Sequence, residues 1–406
     1  MLAALERGVE GGKWYSLIDK VVRPSTLLAA WRKVEANRGA AGVDEVSVNR
    51  FKAGEGRYLE ELGADLQTGR YQPEAVRRVH IPKGPGQTRP LGIPTVKDRI
   101  VQTAIKLVLE PIYEWEFLPT SYGFRPGRGC KDALREVNEL LREGNTWVVD
   151  ADLKSYFDTI PQDRLMERVR GKVSDGKVLM LLDGFLRQEI MEGMNSWTPT
   201  SGTPQGAVIS PLLANIYLHP LDQKLAGIGY RMVRYADDFV ILCRSEEEAQ
   251  QALAEVRKWT DANGLQLHPD KTHVGNCLEE GRGFEFLGYR FEAGYRKVRK
   301  KSMMALKEKI RQRTRRTQGE SIHRVIEKLN PMMRGWFEYF KHAHRTTFAG
   351  IDGFVRRRLR AMLRKQEKRP GFGLCQADSS RWPNAFFTAK GLFTMNEARR
   401  RICQPR

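Results

Sequence analysis

Cysteine is sparse and scattered. Cys130, Cys243, Cys277, Cys375 and Cys403 make an odd set of five in 406 residues and show no CxxC spacing. Such a set argues against a disulfide framework and against a zinc knuckle. No run approaches the ~18 consecutive apolar residues that a membrane span needs. The first residues, MLAALERGVEGGKW, lack a basic segment followed by an apolar core, so no signal peptide is expected. Internal repeats and low-complexity tracts are also missing. A cytoplasmic chain in a reducing compartment fits these absences. With 41% hydrophobic residues it can bury a core and, at roughly 100–200 residues per domain, form two or three domains.

Acidic residues run short at one end only. The formal net charge is +20. From Arg296 onward there are 30 Lys and Arg against 8 Asp and Glu, whereas the preceding 295 residues hold 39 against 41. The excess belongs to one region, and it points to a polyanionic partner, nucleic acid or an anionic membrane surface. A charge run can be a plain solvated face. Here Trp336, Phe337, Tyr339, Phe340, Phe348 and Phe354 are interleaved with the cations, which suits an RNA surface on which bases stack.

The character of the chain changes along its length. Residues 1 to about 70 read as helical, with Leu27, Leu28, Trp31 and Val34 at helical spacing before the Arg38-Gly39 break. RRVHIPK and TRPLGIP read as two short strands joined by Gly84-Pro85-Gly86, followed by a helix at KDRIVQTAIKLVLEPIYE. From about 146 to 290, strands such as TWVVDADL, YRMVRY and FVILC mix with helices in an α+β pattern rather than a βαβ repeat. From about 302 the pattern is helical: SMMALKEKIRQRTRR, SIHRVIEKLN, PMMRGWFEYFKHAH and GIDGFVRRRLRAMLRKQ. Pro370-Gly371-Phe372-Gly373 breaks the last of these, and the tail to Arg406 has no assignable fold.

The strongest local signal is Tyr235-Ala236-Asp237-Asp238, which lies between two apolar strands at the turn of an expected hairpin. Such strands are ordinarily joined by Gly or Asn, and adjacent carboxylates repel unless a cation lies between them. An ordinary acidic turn stays open for the tetrapeptide alone. WVVDADLKSYFDTI adds a strand in which Trp147, Val149 and Ala151 face one way and Asp150 and Asp152 the other. A Mg²⁺ site needs few carboxylates, because the ion keeps waters or substrate phosphates in its shell. His342 and His344 stand two apart on a helix and so point to different faces, which excludes a shared metal.

These motifs resemble, in order along the chain, a reverse transcriptase of the group II intron-encoded type. The matching blocks are RRVHIPKGPGQTRPLGIPTVKDRIVQ, SYGFRPGRGCKDAL, DADLKSYFDTI, GTPQGAVISPLLANIYLHPLD, YADDFVIL, GLQLHPDKT and FEFLGYRF. The resemblance implies an α+β right-hand polymerase of fingers, palm and thumb with an all-helical basic thumb/maturase domain. Expected boundaries are 1–145 for an N-terminal extension and fingers with part of the palm, 146–295 for the palm, 296–370 for the helical thumb/maturase domain and 371–406 for a basic tail. After Lys390 only a short basic stretch follows, so the family's optional nuclease module is not expected.

The resemblance also implies roles. Asp152, Asp237 and Asp238 would be the catalytic acids, with Asp150 and Asp158 supporting them; Asp152, Leu153, Asp237 and Asp238 would hold two Mg²⁺ ions, with Mn²⁺ as a possible replacement. Phe157 matches the aromatic that excludes a ribose 2′-hydroxyl; a core aromatic is the other reading. Lys83 and Arg89 on the expected hairpin, with Gln205 and Lys271, would contact dNTP; Lys271 also reads as a solvated lysine, and Arg99 as structural or template-contacting. LNPMMRGWFEYF and FVRRRLRAMLRK resemble the maturase region, so Arg334, Lys341, Arg356, Arg357, Arg358, Arg360, Arg364 and Lys365 would contact RNA, with Trp336 and Phe340 mostly in a helical core. Expected partners are intron RNA as template and splicing substrate, a DNA primer or target, and dNTPs. No membrane partner is expected, and a homodimer stays open. The implied function is RNA-directed DNA synthesis with assistance to splicing and mobility. A domesticated polymerase serving defence or repair, or an RNA-binding splicing cofactor, are the alternatives.

Overall fold

The computed structural model describes residues 12–84, 86–371, 373 and 375–403, without the side chains of Lys83, Gln87 and Cys403. Within them the chain forms two compact units, residues 1–145 with 149–274, and residues 146–148 with 275–406. No helix among the described residues is long and apolar enough to cross a membrane.

The first unit begins with helices Ile18–Val21, Pro24–Asn37, Val48–Ala53 and Glu55–Thr68. Leu27, Ala30, Trp31 and Val34 are buried at helical spacing, while Leu28, expected among them, is 43% exposed. It lies one residue off the buried stripe, where Ala30 takes the inward place. Strand β1 (Val76–Gly84) pairs antiparallel with β2 (Gln87–Ile93), as the turn residues between them imply.

Strand β3 (Trp147–Asp152) follows, then β4 (Ile190–Glu192), β5 (Asn195–Trp197), β6 (Arg231–Tyr235), β7 (Asp238–Cys243) and β8 (His273–Asn276). One sheet runs β2-β1-β4-β5 and a second runs β6-β7-β3-β8. In β7 the five residues Phe239 to Cys243 are all buried, so both faces of this strand are covered. That is why its sequence reads as a continuous apolar run without alternation.

Helix Val96–Glu114 starts at Thr95, whose hydroxyl accepts from the Asp98 N–H at 3.2 Å. Asp98 itself is fully buried. Its carboxylate accepts from Tyr71 Oη at 2.6 Å, Gln188 Nε2 at 2.7 Å and the Glu74 N–H at 3.2 Å. One acid thus ties the helix start to the segments on either side of it.

The second unit joins a meander of β9 (Phe284–Phe286), β10 (Tyr289–Glu292) and β11 (Tyr295–Val298) to a helical bundle. The expected 146–295 domain takes in all of this meander except residues 296–298. The meander belongs with the helices because Tyr289 Oη donates to the Tyr339 carbonyl at 2.7 Å and Tyr339 Oη donates back to the Leu287 carbonyl at 2.8 Å. Helices Lys300–Arg313, Ile322–Phe340 and Thr346–Gln366 follow.

Two separate helices were read around Pro331, yet Ile322–Phe340 runs through it unbroken. An internal proline costs ~3 kcal/mol. Val325, Ile326, Leu329, Met333, Phe337 and Phe340 are buried along the same helix on both sides of it, and each is worth ~1.5–3 kcal/mol. Burial decides. The tail is likewise not a separate appendage: helices Gln376–Arg381, Asn384–Ala389 and Met395–Cys403 fold onto this unit. Buried Asp352 accepts from the Met395 and Asn396 N–H groups at 3.0 and 2.9 Å, capping the last of them.

Asp98 generates a test. Burial pushes its pKa from 3.8 up to about 6. The folded carboxyl therefore binds its proton more tightly than the unfolded one, so this group's contribution to stability falls as pH rises from about 4 to about 6 and is flat above. Asp98→Asn removes that dependence. Its deficit relative to wild type in chemical unfolding is expected to shrink between pH 4 and pH 7, by up to about 3 kcal/mol; a deficit independent of pH would contradict the assignment.

Candidate active site

The β6–β7 hairpin pairs Tyr235 with Asp238, leaving Ala236 and Asp237 as its two-residue turn. Ala236 has φ +60, a left-handed conformation that favours glycine, and Asp237 is not in that region. A positive φ at the first turn position alone is the type II′ pattern. Something must hold alanine there.

The holding group is Arg234. This residue is fully buried, and its guanidinium donates to both Asp222 oxygens at 2.7 and 2.5 Å, to Asn215 Oδ1 at 2.9 Å and to the Ala236 carbonyl at 2.9 Å. Burial disfavours its charge, but the Asp222 carboxylate more than offsets this and the pKa is raised. Asn215 in turn donates to the Gly123 carbonyl at 2.8 Å. A Cβ at Gly123 would lie 2.2 Å from the Ala236 nitrogen, so only glycine lets the two segments approach.

Neighbouring β7 and β3 bring Asp237 and Asp152 to one cavity of roughly 450 Å³. Arg89, Phe157, Asp158, Gln205, His268 and Lys271 line it as well. Lys271 Nζ donates to Asp152 Oδ2 at 2.5 Å. Burial holds the Asp237 carboxyl above its ordinary pKa and Asp152 adds to this, while Arg89 and Lys271 pull the other way. Two carboxylates partly withdrawn from water, already drawing a side-chain cation, make a donor set of hard oxygens.

That set fits a hard divalent ion. Mg²⁺ is commonly held by one or two carboxylates with water and substrate phosphates completing its shell. Among the described residues, no group of three or more His, Cys, Asp or Glu is gathered for a metal. Asp238, expected as a third acid, starts β7 and does not line the cavity with Asp152 and Asp237. Leu153 is buried and bridges Leu267. The flanking bonds use the Asp152 carbonyl and the Lys154 N–H, not the Leu153 carbonyl.

A second chain of polar contacts crosses the cavity. Arg89 Nε donates to Gln205 Oε1 at 2.8 Å, and Gln205 Nε2 donates to both Asp158 oxygens at 2.9 and 2.8 Å. A carboxylate can only accept, so Asp158 fixes which end of the amide faces Arg89. Gly206, at φ +108, packs where a Cβ would meet the Gly92 carbonyl oxygen at 2.2 Å, which brings the loop after Gln205 against β2. Phe157 is half-buried, edge-on to Phe124 at 6.5 Å. The Lys83 side chain lies outside the described residues. Arg99 donates to the Thr95 and Ala40 carbonyls at 3.3 and 2.7 Å, a structural use.

The basic helix Thr346–Gln366 corrects part of the sequence reading. Arg360 is buried, donating to the Trp382 carbonyl at 2.9 Å and to Asn384 Oδ1 at 3.0 Å. Arg364 pairs with the buried Asp378 carboxylate at 2.7 Å. Arg358 donates to Thr314 Oγ1 at 3.0 Å and to the Thr314 carbonyl at 2.8 Å. These three are taken up within the protein, because the tail and Thr314, at the end of helix Lys300–Arg313, supply the acceptors. Arg357 and Lys365 are exposed and Arg356 half-buried. Arg334 is exposed with its guanidinium over Phe393 at 4.5 Å, and Lys341 pairs with Glu338 at 2.7 Å. Phe340 is buried and Trp336 half-buried against it at 4.6 Å.

Sequence reading missed Arg234, Asp222 and Asn215. A signal existed: an arginine at position 234 enclosed by the apolar residues of MVRYA, and an Asn and an Asp seven residues apart, hence on one face of helix Ser210–Gly227.

The family profile described as "Reverse transcriptase (RNA-dependent DNA polymerase)" matches residues 81–291, and "Group II intron, maturase-specific domain" matches residues 303–377. Protein YkfC of Escherichia coli is 35% identical over 68% of this chain and 82% of its own length. The group II intron-encoded protein LtrA of Lactococcus lactis is 29% identical over 72% of this chain, which spans 58% of that relative. A 91 kDa protein in the cob intron of Schizosaccharomyces pombe is 25% identical over 83% of this chain and 52% of its own length.

Removing Arg234 strands a buried carboxylate. Arg234→Met is expected to lower stability in chemical unfolding by about 3–5 kcal/mol, whereas Arg234→Met/Asp222→Leu recovers most of that loss. A double variant no more stable than the single one would show that the pair is not the unit that matters.

Proposed function

The chain belongs to the reverse transcriptase family and carries a group II intron maturase-specific domain, and on that footing we propose that it is an RNA-directed DNA polymerase that also binds intron RNA to assist splicing and mobility. The observation that carries the polymerase reading is the meeting of Asp152 and Asp237 in one cavity with Arg89, Gln205 and Lys271. In this reading the first unit supplies fingers and palm, and the helical unit the thumb and maturase region. Intron RNA would serve as template and splicing substrate, with a DNA primer or target and dNTPs.

The family uses divalent metal ions. Asp152 and Asp237, with the Leu153 carbonyl and Asp238 in reserve, would hold two Mg²⁺ ions; bound there, such ions activate the primer 3′-hydroxyl and stabilise the leaving pyrophosphate. The protein's own part is alignment. Arg89 is pre-set by Gln205 to receive a triphosphate, since a guanidinium fork matches phosphate oxygens without rearranging. Lys271, which donates to Asp152, would place a compact positive charge beside the phosphates. Phe157 lines the same cavity and would shut out a ribose 2′-hydroxyl by bulk, which makes the product DNA.

Primer extension on an RNA template with dNTPs and Mg²⁺ tests the reading. Wild type yields DNA and Asp237→Ala yields none while RNA affinity is retained; full activity in Asp237→Ala would sink the proposal. Asp158→Ala leaves the Gln205 amide free to turn. It is expected to raise the KM for dNTP roughly fivefold, the equivalent of one hydrogen bond of about 1 kcal/mol, with kcat changed far less. A loss confined to kcat would contradict this role for Asp158.

A further inference from the structure

Phe124 has a backbone conformation that a bulky side chain ordinarily avoids. Its φ is +59, in the left-handed region where glycine and asparagine are most at home. The strain is held from both sides. Before it, Asn215 Nδ2 donates to the Gly123 carbonyl at 2.8 Å. After it, the Arg125 guanidinium is buried against both Glu114 oxygens at 2.9 and 2.6 Å and donates to the Ser121 carbonyl at 2.7 Å. With its neighbours fixed, Phe124 cannot relax by turning the loop. It also remains 47% exposed, so burial in the core does not account for a phenylalanine at a position that suits glycine.

What its ring touches is Phe157. The two centroids are 6.5 Å apart with the planes at 83°, the edge-to-face arrangement that aromatic pairs favour. Phe157 lines the cavity that holds Asp152 and Asp237. The Phe157 backbone is fixed, since the Thr203 N–H donates to its carbonyl at 2.7 Å. Tyr156 meets the ring edge-on at 5.5 Å and is itself anchored by its hydroxyl, which donates to the Ala214 carbonyl at 2.6 Å. Backbone bonds do not restrain side-chain rotation, however, and Phe157 is half-buried. A ring that excludes by bulk does so only while it cannot turn aside. Phe124 supplies a second contact from a separate segment, held rigid by its own strained loop.

We propose that Phe124 is a positioning residue for sugar selection, its ring bracing Phe157 where the 2′-hydroxyl of a ribonucleoside triphosphate would fall. The inference rests on the reading above that Phe157 shuts out that hydroxyl. Phe124 is not among the residues lining the cavity, so it acts through Phe157 and not on the nucleotide.

The test measures kcat/KM for single incorporation of a dNTP and of the matching rNTP on one RNA template with a DNA primer. Wild type is compared with Phe124→Gly, Phe124→Asn, Phe124→Tyr and Phe157→Ala. Glycine and asparagine suit the left-handed backbone while removing the ring, and with two such variants misfolding of one leaves the other to decide. In both, rNTP use relative to dNTP use is expected to rise roughly two- to tenfold, which is what an edge-on aromatic pair is worth, with dNTP incorporation changed far less. Phe124→Tyr keeps the ring and the wild-type selectivity, and Phe157→Ala relaxes selectivity further. Unchanged selectivity in the folded Phe124 variants, beside a relaxed Phe157→Ala, overturns the brace alone. Equal falls for both nucleotides overturn it as well, because they mark a general support of the cavity. As large a loss of selectivity in Phe124→Tyr overturns the ring as its cause. Unchanged selectivity in Phe157→Ala overturns the reading on which the brace rests, and no incorporation by wild type overturns the polymerase reading itself.

Discussion

The buried ion pair between Arg234 and Asp222 is the constraint on which the candidate active site depends. A guanidinium with no solvent exposure is tolerable only if its donors are satisfied, and Asp222, Asn215 and the Ala236 carbonyl take four of its hydrogen bonds. The last of these acts on the backbone of the turn. It fixes the peptide immediately before Asp237, where alanine accepts a left-handed φ that it would otherwise avoid. The position of the Asp237 carboxylate is thereby tied to helix Ser210–Gly227, not left to a hairpin tip.

An apolar replacement of similar volume could be as stable, since the desolvation of two charges consumes much of what their attraction returns. What the charged version adds is direction. A methionine at 234 would fill space without specifying where the Ala236 carbonyl points, whereas a planar fork with fixed donor angles does. The same logic governs Asp158, Gln205 and Arg89. An amide has two chemically different ends of nearly equal shape, and packing alone cannot choose between them. A carboxylate on one side can, because it only accepts.

Sequence reading succeeded where a residue's use follows from its neighbours in the chain. The β1–β2 hairpin was legible from its turn residues, β3 and β7 from their apolar runs, and the Asp237 turn from carboxylates interrupting such runs. It failed where the partner is remote. Arg234 meets Asp222 across 12 residues and Asn215 across 19, while Asp158 meets Gln205 across 47, separations that no local period encodes. Pro331 misled for a related reason: a local penalty is fixed by one residue, but the burial that outweighs it is set by the whole bundle.

The arginines of helix Thr346–Gln366 carry the point furthest. Counted along the sequence, Arg356, Arg357, Arg358, Arg360, Arg364 and Lys365 look like one positive face. A helix of 3.6 residues per turn cannot present six such closely spaced positions to one side, so some must face the bundle. Those that do need acceptors, and the tail provides them: Asp378 for Arg364, the Trp382 carbonyl and Asn384 for Arg360. The tail is therefore held in part by charges that composition alone assigns to a nucleic acid. Net charge measures how many cations a region holds, and only the acceptors supplied by the rest of the fold decide how many of them remain for a partner.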